Sequence, residues 1–256
     1  MENSKEEIIK ELGFGATGKV FLIKRAESLF VRKIYRKNQE ERLKKEIEIC
    51  KKVNDIKGVP KILDFSEKHV DFEYKSGYQE LFDLVQILSF KEKILVCKQV
   101  SEILIACHDI CITHRDIKLE NILYNKDIQK TLLIDWDCSL ELSNIEERSQ
   151  YLYGTLAMNP PEFSRAKVND FKKVDVWQLC VTFVELICDT TAFVSEHNIK
   201  NMELSDDIFL VLGFVRFIKF ENDLFSKVFV EEDERITMTE LSQIFSQIYE
   251  NYIDYL

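Results

Sequence analysis

Apolar positions recur along this chain with two different periods, and each period predicts an element. Val20, Phe21, Leu22 and Ile23 form a short β-prone run. After a turn around Glu27 and Ser28, the segment LFVRKIYR, residues 29–36, reads as a second strand with Lys33 between apolar neighbours. In QEERLKKEIEICKKV, residues 39–53, Leu43, Ile47, Cys50 and Val53 fall at three- and four-residue steps, the period of an amphipathic helix. Glu46 sits beside that stripe and can face the strand, whereas Glu41 and Glu48 read as solvated helix charges. The longest apolar stretch, from Val174 to Cys188, is interrupted by Asp175, Gln178 and Glu185. It is too short and too polar to span a bilayer and predicts a buried helix.

Composition narrows the class. A chain of 256 residues, 46% hydrophobic and 31% charged, can bury a large core as one domain or two tightly joined lobes. The opening MENSKEEIIK lacks the apolar segment of a secretory signal, so the protein is expected to stay where it is made. Seven cysteines, at 50, 97, 107, 111, 138, 180 and 188, never form a CxxC pair and mostly lie in apolar runs. They predict reduced core thiols in a cytoplasmic or nuclear compartment. A formal charge of −10 argues against direct nucleic-acid binding and suits a basic partner.

Of only seven glycines, three fall within six positions in GFGATGKVFLIKR: Gly13, Gly15 and Gly18. Glycine lets the backbone approach a phosphate closely, so the pattern suits a phosphate cradle, although alone it is weak. A dinucleotide-binding loop opens a helix, and here a β-prone run follows, so the glycines belong to a hairpin tip between strands. Lys33, taken alone, reads as a solvated charge on a strand edge.

ITHRDIKLENIL, residues 112–123, matches HRDxKxxN at every position and resembles the catalytic loop of protein kinases. Asp135 in LLIDWDCS, GTLAMNPPE at 154–162, DVWQLCVTFVEL at 175–186 and Arg235 in ERITMTEL follow in that family's order and spacing. The resemblance implies an α+β, bilobal fold: a small antiparallel β lobe with one helix and a larger, mainly helical lobe. It implies a single kinase domain over residues 1–256, with a small lobe at about 1–73, a hinge at about 73–78 and a large lobe at about 79–256. The chain has few insertions, as compact kinases of large viruses and reduced genomes do.

The resemblance further implies ATP and magnesium as cofactors and protein substrates phosphorylated on serine or threonine. Gly13, Phe14, Gly15 and Gly18 would cover the phosphates, Lys33 would hold them and Glu46 would pair with Lys33. Asn121 and Asp135 would bind the metal, Asp116 would orient the substrate hydroxyl, and Lys118 would lie against the γ-phosphate. Val20, Val31, Phe72, Glu73 and Leu123 would line the adenine pocket and Glu80 would bind ribose. His114 and Trp136 are expected to pack beneath the site with Cys50, and Arg235 to pair with Glu162. Glu80, Glu120 and Glu185 resemble positions that receive arginines in basophilic kinases, which implies basic substrates.

Three positions depart from the family pattern. Asp137 stands where the family has glycine, which should make the loop harder to flip. Its carboxylate could aid the metal, raise a neighbour's pKa or point into solvent. Pro160 and Cys180 replace an alanine and a glycine and look tolerable. Residues 138–153 form the candidate activation loop, with Ser139, Ser143, Ser149, Tyr151 and Tyr153 as possible phosphoacceptors and Arg115 as the partner of such a phosphate. The alternative function is a pseudokinase scaffold that binds nucleotide and partner proteins without phosphotransfer; regulation by a partner or by self-association is expected.

Overall fold

The computed structural model describes residues 5–143, 154–164, 167–193, 195–202 and 224–251. The first part is a five-stranded antiparallel sheet of order β1-β2-β3-β5-β4. Its strands are β1 (Glu6–Phe14), β2 (Gly18–Arg25), β3 (Ser28–Tyr35), β4 (Ile62–Phe65) and β5 (His69–Glu73), and it carries helix α1 (Glu40–Val53). The β2–β3 turn is tighter than its sequence suggests: Ser28 already pairs with Arg25, and Ala26 takes φ 54° between them. Helix α1 buries Leu43, Glu46, Ile47, Ile49, Cys50 and Val53, and Leu43 and Ile47 pack on Tyr35 and Val70 of the sheet. Its apolar stripe is thus the predicted one, with Glu46 carried inward alongside it. Glu41 and Glu48 are exposed.

Beyond β5 the chain becomes mostly helical. A short sheet of order β6-β8-β9 joins Gln79–Glu80, Ile122–Asn125 and Lys130–Leu133, while β7 (Ile112–Thr113) pairs with β10 (Leu140–Glu141). Helices α2 (Leu81–Leu84) and α3 (Phe90–Asp109) precede a central helix, Phe171–Cys188, and a terminal helix, Met238–Asn251. Helix α3 begins at a capping box: Ser89 Oγ accepts from the Glu92 amide, and the Glu92 carboxylate accepts from the Ser89 amide. The central helix starts three residues before the predicted apolar stretch, where Asp170 caps it by accepting from the Lys172 amide at 2.9 Å. Trp177 of this helix stacks on Phe193 with ring centres 5.5 Å apart and meets the edge of Phe229 at 4.9 Å. All seven cysteines are free; six are buried and Cys111 is exposed. Among the described residues no helix is long and apolar enough to cross a membrane.

A buried ion pair between Arg235 and Glu162 pins part of the large lobe. Arg235, 1% exposed, donates to Glu162 at 2.6 and 3.2 Å and to the carbonyls of Val228, Val230 and Lys173. Every polar edge of the guanidinium therefore has a partner, the condition under which a buried pair is tolerated. Removing one partner leaves the other charged and unpaired. Arg235→Ala is expected to lower the unfolding free energy by about 3–5 kcal/mol in urea titration. The double variant Glu162→Leu with Arg235→Met is expected to lose less than either single change.

Candidate active site

The glycine loop differs internally. A Cβ at Gly18 would lie 2.0 Å from the carbonyl oxygen of Ile34, so close packing of β2 on β3 requires glycine there. A Cβ at Gly13 or Gly15 would meet nothing within 4 Å. Neither glycine is demanded by the protein's own packing, and both leave the open space that a phosphate cradle needs. Phe14 is exposed, with the Arg36 guanidinium 4.7 Å from its ring centre.

The strand register determines what faces this space. Val20 pairs with Lys33 and Val31 with Phe72, so Val20, Val31, Lys33 and Phe72 share one sheet face. All but Lys33 are half-buried. Leu123, also half-buried, lies on β8 opposite Glu80 of β6. Glu73 ends β5, and Lys75 Nζ lies 3.5 Å from its carboxylate.

Lys33 is not the solvated edge charge that it resembles in isolation. It is 7% exposed, and its ammonium lies 3.1 Å from Glu46, 2.6 Å from Asp135 and 3.1 Å from Asp137. Burial works against its charge, but Asp135 and Glu46 overcome this and hold Lys33 well above its usual range. Burial pushes Glu46 up to about 7 against the pull of Lys33. The second Glu46 oxygen accepts from the Tyr35 hydroxyl.

Asp137 is buried at 6% exposure, which removes the solvent-facing alternative. Its Oδ2 accepts from Thr17 Oγ1 at 2.9 Å as well as from Lys33, and Arg42 Nη2 lies 3.5 Å from its Oδ1. Burial would raise its pKa, but Lys33 and Arg42 hold it at about 2. Neither Thr17 nor Arg42 was among the residues that the motifs single out. Arg42 had a signal: it lies one helical turn before Glu46 and so shares its face.

The loop from His114 to Asn121 forms a second constellation. Asp116 Oδ1 accepts from the amide and hydroxyl of Thr155, both at 2.8 Å. Its Oδ2 accepts from Asn121 Nδ2 at 3.0 Å and lies 3.1 Å from Lys118 Nζ, which donates to Thr155 Oγ1 at 2.8 Å. Burial opposes the charge on Asp116, but Lys118 and Thr155 hold its carboxyl below the usual range. With its amide turned to Asp116, Asn121 presents its carbonyl oxygen elsewhere, and the Asp135 side chain is 36% exposed. An amide oxygen and a carboxylate are the donors a hard cation such as magnesium takes. The donor set fits the implied metal.

Buried polar groups of the central helix hold this loop. Asp175 accepts from the amides of His114 at 3.0 Å and Arg115 at 2.8 Å and pairs with His108 at 2.8 Å. Gln178 accepts from the Ile117 amide at 3.1 Å and donates to the Arg115 carbonyl at 2.9 Å. These residues interrupt the apolar stretch in the sequence, and here they clasp the loop backbone. His114 Nε2 lies 3.1 Å from the Ile134 carbonyl, and its ring meets the edge of Trp136 at 4.7 Å. His114 and Trp136 are buried, and Cys50 and Trp136 belong to the same apolar cluster. Arg115 is fully buried at φ 66° and donates to the Cys138 carbonyl at 2.7 Å. Ser139 is also fully buried, which corrects its reading as a phosphoacceptor. Ser143 is exposed; Ser149, Tyr151 and Tyr153 lie outside the described residues. Burial pushes both Glu80 and Glu185 up, with Asp83 and Glu120 adding at Glu80 and Glu120 adding at Glu185, so Glu120 lies within electrostatic reach of both.

Residues 7–251 match the family described as protein kinase domain. The chain is 30% identical to ribosomal protein S6 kinase alpha-4 of Homo sapiens, over 74% of this chain and 27% of that protein. It is 30% identical to Aurora kinase A-B of Xenopus laevis, over 74% of this chain and 49% of that protein. It is 32% identical to calcium-dependent protein kinase 5 of Plasmodium berghei (strain Anka), over 78% of this chain and 35% of that protein. The chain therefore spans less than half the length of each of these relatives.

The grip of Asp175 on the loop is open to measurement. Asp175→Ala orphans the amides of His114 and Arg115, each costing about 1–3 kcal/mol. Urea unfolding is expected to show the combined loss; a change below about 0.5 kcal/mol, as at an ordinary surface position, would contradict the clasp.

Proposed function

The chain belongs to the protein kinase family, and from that premise we propose that it transfers the γ-phosphoryl group of ATP to serine or threonine hydroxyls of protein substrates. The observation that carries this reading is the triangle of Asp116, Lys118 and Thr155, closed by contacts of 2.8 to 3.1 Å. Phosphoryl transfer asks a protein mainly for positioning and for charge stabilisation away from bulk water. Asp116, kept ionised by Lys118 and Thr155, exchanges one of its four present donors for the substrate hydroxyl and takes the hydroxyl proton as the new oxygen–phosphorus bond forms and the bond from the γ-phosphorus to the departing ADP oxygen breaks. Lys118, tethered to Thr155, places its ammonium beside Asp116, where negative charge develops. Lys33, oriented by Glu46, binds phosphate oxygens beneath the amides of the glycine loop. Asn121 and Asp135 would hold magnesium, which supplies positive charge to the phosphate oxygens when bound.

Val20, Val31, Phe72, Glu73 and Leu123 line the adenine pocket in this reading, and Glu80 binds ribose at the hinge side. In the same reading, residues at about 1–73, about 73–78 and about 79–256 act as small lobe, hinge and large lobe. The electrostatic reach of Glu120 to both Glu80 and Glu185, with the charge of −10, supports Arg/Lys-rich substrates. Free, buried thiols support a cytoplasmic or nuclear site of action.

Transfer of radiolabelled phosphate from ATP with magnesium to a basic and to an acidic protein tests the proposal. The basic protein is expected to be labelled on serine or threonine, and Asp116→Asn is expected to reduce the rate about 10²–10⁴-fold. Nucleotide binding without labelling of either protein would overturn the reading in favour of a scaffold. Label confined to the acidic protein would overturn the substrate preference alone.

A further inference from the structure

Glycine, the family's residue at position 137, would make none of the side-chain contacts that Asp137 makes. Oδ2 of Asp137 accepts from Lys33 Nζ at 3.1 Å and Thr17 Oγ1 at 2.9 Å; Oδ1 accepts from Cys138 Sγ at 3.2 Å and faces Arg42 Nη2 at 3.5 Å. A carboxylate has about four acceptor sites, and these four donors occupy them. A metal could bind Asp137 only by displacing one of these donors. Thr17 lies in the glycine loop, Lys33 on β3 and Arg42 on α1, and Asp137 itself lies two residues beyond Asp135. One carboxylate thus joins four separate pieces of the site.

Its effect on α1 follows from helix geometry. The Lys33–Glu46 pair and the Tyr35–Glu46 hydrogen bond make the polar tie of α1 to β3, beside the apolar packing of Leu43 and Ile47 on the sheet and the Lys52–Glu141 ion pair at 2.5 Å. Arg42 lies one turn earlier on the same face and reaches Asp137. This second polar anchor, a turn from the first, joins α1 to the loop after β9 rather than to the sheet. Thr17 does the same for the glycine loop, whose backbone is tied to the sheet end by the Arg36 amide donating to the Thr17 carbonyl at 2.9 Å.

We propose that Asp137 is a positioning residue: through Thr17, Lys33 and Arg42 it clasps the glycine loop, β3 and α1 to the loop that carries Asp135, and so assembles the phosphate-binding side of the site before nucleotide arrives. This rests on the kinase reading of the site. A protein so preorganised binds nucleotide without first ordering α1 or the loop. Losing the clasp lowers the fraction of binding-competent molecules and raises apparent KM, while the loaded state, once ordered, reacts as before.

Hydrogen exchange of the nucleotide-free protein, followed by mass spectrometry, tests the clasp without reference to activity. In Asp137→Asn, amides of residues 14–19 and 40–53 are expected to exchange about tenfold faster or more, with the central helix Phe171–Cys188 unchanged. Thr17→Val is expected to release the loop alone. In steady-state kinetics Asp137→Asn is expected to raise KM for ATP about tenfold with kcat within about twofold. Unchanged exchange, or exchange accelerated equally in the central helix, would overturn the proposal. So would a fall in KM for ATP, the result expected if Asp137 competes with phosphate for Lys33. Should the unaltered protein transfer no phosphate, the function proposed above would fail while the exchange pattern would still decide the clasp.

Discussion

A lysine ammonium withdrawn from water must be paired, and the candidate site of this protein is arranged around that requirement at Lys33. Its partners come from separate parts of the chain: Glu46 from α1, and Asp135 and Asp137 from the loop after β9. Glu46 and Asp137 are tolerable in their buried places because the ammonium is there, with Arg42 assisting at Asp137, and the ammonium because they and the half-exposed Asp135 are. Folding cannot complete one element and leave the others loose. The same mutual dependence brings the small lobe's helix to the sheet and the large lobe's loop to both.

The large lobe meets a different constraint. The loop from His114 to Asn121, with little regular structure, must hold its backbone amides somewhere, since unpaired buried amides are costly. The central helix answers with Asp175 and Gln178, polar residues in an otherwise apolar core. The rigidity of a helix packed by Val174, Trp177, Cys180 and Val181 is thereby passed to Asp116 through backbone hydrogen bonds. Gly154, at φ 125°, brings the chain against the Arg115 carbonyl so closely that a Cβ there would lie 2.6 Å from that oxygen. This approach puts Thr155 beside Asp116.

How much of this was legible in the sequence depends on the range of the interaction. The stripe Leu43, Ile47, Cys50 and Val53 has a local period, and it placed Glu46 correctly against the strand. The glycine triplet and HRDxKxxN are local too, and contacts of Thr17 and Lys33 with the loop that carries Asp135 and Asp137 tie the two halves of the site together. Thr17 and Asp137 are 120 residues apart, and no local period relates them. Sequence alone accordingly admits three fates for Asp137, and its burial removes the solvent-facing one. Ser139 looked like any loop serine because burial is a property of what folds over a residue. The left-handed backbone at Arg115 and Asp135 is likewise imposed by tertiary contacts on residues with no glycine-like freedom.

Mutual dependence of Lys33 and its carboxylates is most directly tested by a double-mutant cycle on Lys33→Met and Glu46→Gln, read by urea unfolding of the nucleotide-free protein. Lys33→Met alone is expected to cost about 3–5 kcal/mol, because it leaves buried carboxylates uncompensated. Glu46→Gln is then expected to cost far less in the Lys33→Met background than in the unaltered protein. Equal cost in both backgrounds, with Lys33→Met as stable as the unaltered protein, would contradict the account.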